Sequence, residues 1–437
     1  MLRSRSRRAA GARPSARGAL GLALVAGATL AACRDHEPPL APVAQEAAAK
    51  TPTGIAPLVA EVLPPHREVS VVECPVVPPL GERESEFDAA VAKLIEAANQ
   101  QLDAGNPASA WTCADRAADL SPQSVEAHHL RGAALAALER WSEAQLAFSL
   151  ALSLDPSDPE TLRGAAHFYI NEIERSQDSL RLGLSLAERG SARAIARRRR
   201  NPELIADLAL LEAQALSDLG HSDEALPRLD VVLRQSPSRA DALHERGVAR
   251  FNLGMFADAK PDFLAVIEQR PQDAFAHHML GLTLDWLGDP KAQEHLQKAV
   301  ELAPAEFTPE VPLPAEELRS EIASVVASLP PARLAAVRVA RFEVTDLPSL
   351  EDLRSVSPPF PPTILGLYRG PLDAADAVSA PDAIHATTPS IVLYRKNLAR
   401  AVRNRSELAR EIRDTVLHEI GHLEGLDEDD LRRRGME

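Results

Sequence analysis

Near the end of the chain Leu408, Ile412, Val416, Ile420 and Leu423 recur at spacings of three and four, and Asn404 with Glu407 stands before them as an N-terminal capping pair. The pattern predicts a helix with one buried stripe. Gly421 inside it costs about 1 kcal/mol relative to alanine and so serves close packing. Gly425 is placed to end the helix in a left-handed turn that sends the chain back along it. Upstream, the pattern predicts a helix over Ala315–Ser328, a strand over Ala336–Val344, a proline-rich excursion at Pro358–Pro362 and a short strand at Ser390–Tyr394. At the opposite end a largely apolar run from Ala19 to Ala32 follows a leader with Arg3, Arg5, Arg7, Arg8, Arg13 and Arg17. That run is too short to span a bilayer, which takes about 20 residues, so it reads as a signal peptide.

Between these ends the hydrophobic pattern repeats. Pro122 and Pro156 lie 34 apart, Pro202 and Pro237 35 apart, and Pro237, Pro271 and Pro304 follow at 34 and 33. Gly132, Ala144, Phe148, Ala151 and Pro156 mark one unit, and Gly247, Ala259, Phe263 and Pro271 another. Gly281, Ala292, Leu296, Ala299 and Pro304 repeat the marks with one residue deleted. Small residues let two helices approach closely, and the proline punctuates the turn into the next pair. Over Glu84–Pro304 the pattern resembles tetratricopeptide repeats, with an insertion in the third between Pro156 and Pro202. The resemblance implies a helical solenoid whose groove takes protein partners. His129, His244 and His278, each three residues before a unit glycine or its equivalent, then read as polar groove residues.

Charge narrows the partners. The chain carries a formal net charge of −15, and removing residues 1–32 strips six arginines and no acid. Such a surface repels phosphates, which argues against nucleic acid. The run Arg197–Arg200 reads as a solvated helix end or loop. Three cysteines are present. Leu30-Ala31-Ala32-Cys33 resembles the lipobox of bacterial lipoproteins, which implies that Cys33 is lipidated and becomes the mature first residue. Arg34 after it does not signal retention at the inner membrane, so the implied address is export to a periplasm-facing outer membrane with a lipid anchor. Cys74 and Cys113 remain, either paired in an oxidising compartment or as two free thiols.

The chemistry lies on the last long helix. His418 and His422, four apart, stack on one face and can offer two imidazole nitrogens to one metal ion. Glu419 sits beside that face, placed to take a proton from a metal-activated water without being a ligand. After Gly425 a third ligand is within reach in Asp427, Glu428 or Asp429. Two neutral imidazoles and a carboxylate suit a catalytic Zn2+ with an open position.

Here the chain resembles a known family. From about Pro314 to Glu437 it is similar to the minimal zincin-like metallopeptidases, on Ile364–Gly370, Pro389–Arg395 and Val416–His422 in that order. The resemblance implies a peptidase acting on a protein or peptide substrate. It also implies a third ligand three residues past the glycine, which is Glu428 here where the family has aspartate, and Asp427 stands one place earlier. Glu428 is the expected ligand and Asp427 the alternative. Tyr394 could reach a developing oxyanion but reads first as a packing residue at a strand end, and His385 reads as an exposed loop residue rather than an upstream ligand.

The expected fold is mostly α: a tetratricopeptide helical solenoid followed by a small α+β zincin-like domain with the metal site on its last long helix. The parts are a lipoprotein signal peptide (1–32), a proline-rich tether (33–83), the repeat array (84–304), a linker (305–313) and the metallopeptidase domain (314–437). The expected function is a membrane-anchored zinc metallopeptidase whose repeats recruit substrates or partners. The alternative is a lipoprotein scaffold with an inactive zincin-like domain, against which the intact Glu419 argues.

Overall fold

The computed structural model describes residues 74–75, 84–197, 200–370 and 389–435. The leader with Cys33, nearly all of the tether, Arg198, Arg199 and His385 lie outside the described residues. Among those described, no helix is long and apolar enough to cross a membrane.

Six antiparallel helix pairs follow one another: α1 (Glu84–Asp103) with α2 (Pro107–Leu120), α3 (Val125–Ala137) with α4 (Trp141–Leu154), α5 (Pro159–His167) with α6 (Gln177–Ala196), α7 (Pro202–Asp218) with α8 (Ser222–Gln235), α9 (Ala240–Asn252) with α10 (Phe256–Gln269), and α11 (Ala274–Trp286) with α12 (Ala292–Leu302). Pro107, Pro159 and Pro202 open their helices, where a missing N–H is no loss. Ser124, Asp158, Asn201 and Asp273 cap theirs through the side chain. The unit glycines permit close approach within a pair: a Cβ on Gly132 would meet the Phe148 ring at 3.0 Å, and one on Gly247 would meet Phe263 at 2.7 Å. The insertion in the third unit becomes a π-helical extension of α5 (Phe168–Glu172) and a 20-residue α6. Cys74 and Cys113 form a disulfide that ties the segment preceding α1 to α2.

The three repeat histidines expected in the groove are half-buried beside aromatic rings. His129 and His244 pack edge-on against Phe148 and Phe263 of their own units, and His278 stacks on Phe307 at 4.5 Å. Burial, reinforced by nearby Arg163 at His129 and Arg400 at His278, pushes both rings down to about 4, so they are neutral packing groups at ordinary pH.

The C-terminal part holds α13 (Ala315–Ala327), α14 (Pro331–Val337), β1 (Arg341–Thr345), α15 (Leu350–Leu353), β2 (Gly366–Arg369), β3 (Ser390–Tyr394), α16 (Arg395–Arg400), α17 (Arg405–Leu423) and α18 (Glu428–Arg433). The strand expected from Ala336 starts only at Arg341. Pro331 sits at the first helical position of α14, which runs on to Val337 before the chain can extend. The sheet has the order β1-β3-β2, with β1 parallel and β2 antiparallel to the central β3. Every residue of β3 is buried. Ile391 and Leu393 of β3 meet Leu408, Ile412, Val416 and Ile420 in one core, so the stripe read from the sequence is the face α17 turns to the sheet.

Phe307 of the segment expected as a linker lies against Phe275 and His278 of the last repeat, while the end of the segment packs into this domain. Val311 and Leu313 are buried in its core, the Val311 amide donates to the Ala399 carbonyl at 2.9 Å, and Arg395 donates to the Leu313 carbonyl at 2.9 Å. The β1–β2 connection also reaches back to the repeats. Leu353 is 1% exposed in a cluster with Phe251, Phe256 and Leu280, and Asp285 of α11 receives Lys396 at 2.7 Å and Arg400 at 2.6 Å. Array and C-terminal domain therefore share a packed, ion-paired boundary.

Candidate metal centre

Asn404 caps α17 by accepting from the Ser406 and Glu407 amides, fixing where the helix starts. Within its last two turns, His418 and His422 come forward on one side, and their Nε2 atoms lie 3.2 Å apart. The helix stops at Gly425, whose φ of 80° only glycine adopts without strain. The Gly425 amide then bonds the His422 carbonyl and the Leu426 amide the Gly421 carbonyl, each at 3.0 Å, which folds the chain back over the last turn.

Two consequences follow for the site. The Leu426 carbonyl arrives 3.0 Å from His422 Nδ1 and accepts its proton, leaving the Nε2 lone pair for a metal. Glu428, at the start of α18, comes within 3.2 Å of His422 Nε2 and 3.8 Å of His418 Nε2. Asp427 is spent on capping α18, accepting from the Asp430 amide at 2.8 Å, and Asp429 pairs with Arg432 in solvent. Glu428 rather than Asp427 thus faces the imidazoles.

The donor set fits a tetrahedral zinc ion. Ligands about 2.0–2.1 Å from such an ion lie about 3.3 Å from one another, and the separations here are 3.2, 3.2 and 3.8 Å. Among the described residues this is the one group of three or more histidine, cysteine or acidic side chains close enough to share an ion. Its electrostatics agree. Burial works against the Glu428 carboxylate, but the hydrogen bonds and charges of the two histidines outweigh it and hold it down at about 2. His422 is raised in turn by Glu428 and Glu419, despite burial.

Glu419 is 6% exposed on the same helix as the histidine pair. Burial pushes its carboxyl up, while both imidazoles and the Tyr368 amide, which donates to it, pull it down. Gly366, one residue pair earlier on β2, makes this approach possible. A Cβ there would meet Thr415 Cγ2 at 2.9 Å and Glu419 Oε1 at 3.0 Å. Tyr394 is fully buried at the end of β3, and burial raises its phenol well above the ordinary range, so it is a core side chain and not an exposed donor.

Sequence reasoning passed over Gly366, the Tyr368 amide, Asp352 and Arg369. A glycine opening a four-residue strand was the available signal, since such a glycine marks close approach by another element.

Residues 337–436 match the family model described as zincin-like metallopeptidase, and residues 95–159 and 210–274 match the tetratricopeptide repeat. The chain therefore carries a zincin-like metallopeptidase domain behind tetratricopeptide repeats. No curated protein matches the chain. Among solved structures, YrrB, a tetratricopeptide protein with an unusual peptide-binding site, is 23% identical over 44% of this chain and 92% of its own, with a TM-score of 0.35. The type IV pilus biogenesis factor PilW is 16% identical over 49% of this chain and 94% of its own, with a TM-score of 0.42. Pseudomonas aeruginosa pilF is 15% identical over 50% and 94%, with a TM-score of 0.43.

Proposed function

We propose that the protein is an exported, lipid-anchored zinc metallopeptidase whose repeats recruit its substrates or partner proteins. The observation that carries the reading is the convergence of His418, His422 and Glu428 on one point, with Glu419 buried on the same helix. Zinc, when bound, polarises a peptide carbonyl and acidifies a water toward neutrality. His418, His422 and Glu428 would hold the ion, with Leu426 fixing the His422 tautomer. Glu419, kept from solvent and steadied by the Tyr368 amide, takes the proton of the attacking water and returns it to the leaving amine. The Cys74–Cys113 disulfide supports an oxidising compartment, as export would provide. The lipobox-like ending at Cys33 supports the anchor.

The test is zinc content and peptide hydrolysis of residues 34–437 beside Glu419→Ala and His422→Ala. Glu419→Ala should keep zinc and lose hydrolysis, and His422→Ala should lose both. Equal turnover in all three would remove the enzyme reading, and zinc without turnover on varied peptides would leave a metal-binding scaffold.

A further inference from the structure

Strand β2 is the edge of the sheet that carries the amide holding Glu419, and little of the sheet secures it. It pairs with β3 on one side, with Leu367 opposite Val392 and Arg369 opposite Ser390, and with no other described strand. Its last residue is clamped from elsewhere. Arg369 gives two hydrogen bonds to Asp352, Nε to Oδ1 at 2.7 Å and Nη2 to Oδ2 at 2.8 Å, and a third to Glu343 of β1 at 3.1 Å. A paired fork of this kind fixes direction as well as distance, which a point charge does not.

Asp352 is itself held. It is 6% exposed, and its Oδ2 also accepts from the Ser349 amide and hydroxyl in the reciprocal cap of α15. The next residue, Leu353, is buried among Phe251, Phe256 and Leu280 of the last two repeats, and Leu350 lies against Gly254. An unbroken line of contacts thus runs from the repeat core through Leu353, Asp352 and Arg369 to β2, and from the Tyr368 amide to Glu419. Tyr394, buried at the end of β3, feels both the Asp352 and Glu419 carboxylates.

We infer that Arg369 is a positioning residue for Glu419, and that the last two repeats form part of the scaffold that sets the β2 edge against the zinc helix. The catalytic part of this inference rests on the peptidase reading. Its structural part, that the fork holds the Tyr368 amide on Glu419, does not.

The experiment uses the mature chain with Arg369→Ala, Arg369→Lys and, from the repeat side of the contact, Leu353→Ala. Turnover of a quenched peptide is measured with zinc affinity, and amide exchange of the β2 peptide is followed without added metal. In Arg369→Ala, kcat should fall by about ten- to a hundredfold, the range for a small displacement of a reacting group. KM and zinc affinity should stay within about threefold, and the Tyr368 amide should exchange about tenfold faster, as expected for a lost hydrogen bond. Arg369→Lys keeps the charge without the fork and should recover only part of either loss. Leu353→Ala should show the same pattern more weakly. Unchanged exchange at Tyr368 in Arg369→Ala overturns the inference, as does a loss shared equally by kcat, KM and zinc affinity, which is what general loosening gives. If the wild type hydrolyses nothing, the peptidase reading fails while the exchange measurement still decides the structural part. If Arg369→Ala does not fold, Arg369→Lys carries the same comparison.

Discussion

Gly366→Ala tests how closely β2 and α17 are fitted. A Cβ at this position lies 2.9 Å from Thr415 Cγ2, 3.0 Å from Glu419 Oε1 and 3.1 Å from Glu419 Cγ. Carbon atoms pack best at about 3.5–4.0 Å, so the strand and helix must part by roughly 0.6 Å or a side chain must leave its rotamer. The carboxylate end of Glu419 can swing, but Thr415 is branched at Cβ and 7% exposed, with little freedom to yield. Overpacking of this kind costs about 1–3 kcal/mol, and the reduced freedom of the unfolded chain returns about 0.4–1 kcal/mol. The expected net loss is about 1–2 kcal/mol in denaturant unfolding. On the proposed peptidase reading Glu419 is the proton acceptor, so the functional effect should be larger than the stability effect: a fall in kcat of about ten- to a hundredfold with zinc still bound. Peptide kinetics, zinc affinity by chelator competition and urea melts read the three quantities separately. Adding Thr415→Ser removes the nearest clashing carbon and should restore part of both losses, giving a coupling that a double-mutant cycle measures. Full turnover and an unchanged melt in Gly366→Ala would refute the close fit, and so would additivity in the double mutant.

Three further outcomes follow from the same structure. Glu428→Gln should weaken zinc binding by at least tenfold, whereas Asp427→Asn, which keeps a side-chain cap on α18, should leave it nearly unchanged; titration of both variants with zinc against a chromophoric chelator decides. Burial raises the Asp285 carboxyl but its bonds to Lys396 and Arg400 win, so its pKa is lowered on folding. The unfolded chain then takes up the proton first, and the stability this carboxylate contributes above about pH 4 is lost as pH falls through its depressed folded value. Asp285→Asn should therefore be less stable by about 2 kcal/mol at pH 7 and show a shallower acid slope between pH 5 and 2 in urea melts. In the repeats, Gly247→Ala forces a carbon to 2.7 Å from the Phe263 ring and should destabilise the array by about 1–3 kcal/mol without changing zinc affinity, as calorimetry beside zinc titration would show.

Much of the centre was legible because its parts are local. His418, Glu419 and His422 are set by one helix, and the period of 3.6 residues places them whatever surrounds that helix. Gly425 announced the turn, and the turn carries Glu428 to the histidines within a few residues. Both Glu428 and Asp427 are acidic and adjacent, so only the spacing implied by the family resemblance favoured Glu428; the N-cap of α18 agrees by engaging Asp427. The repeat period likewise survived into helix pairs, because each unit's small and aromatic positions meet within the unit. The start of β1 was misplaced, since Ala336 and its neighbours suit either state and Pro331 starts a helix first.

The sequence by itself determined the helices, the repeat and the face that pairs His418 with His422, all of which depend on residues no more than about one unit apart. Only the tertiary structure decided that Val311 and Leu313 enter the C-terminal core, that Leu353 seats the C-terminal domain on the last repeats, and that Arg369 reaches Asp352 beside it. Those contacts join segments separated by long stretches of chain, and no periodicity encodes which distant side chains will meet. Packing settles them, because an apolar residue such as Leu353 gains by burial wherever a complementary surface is offered, and the ion pairs around it then fix the orientation.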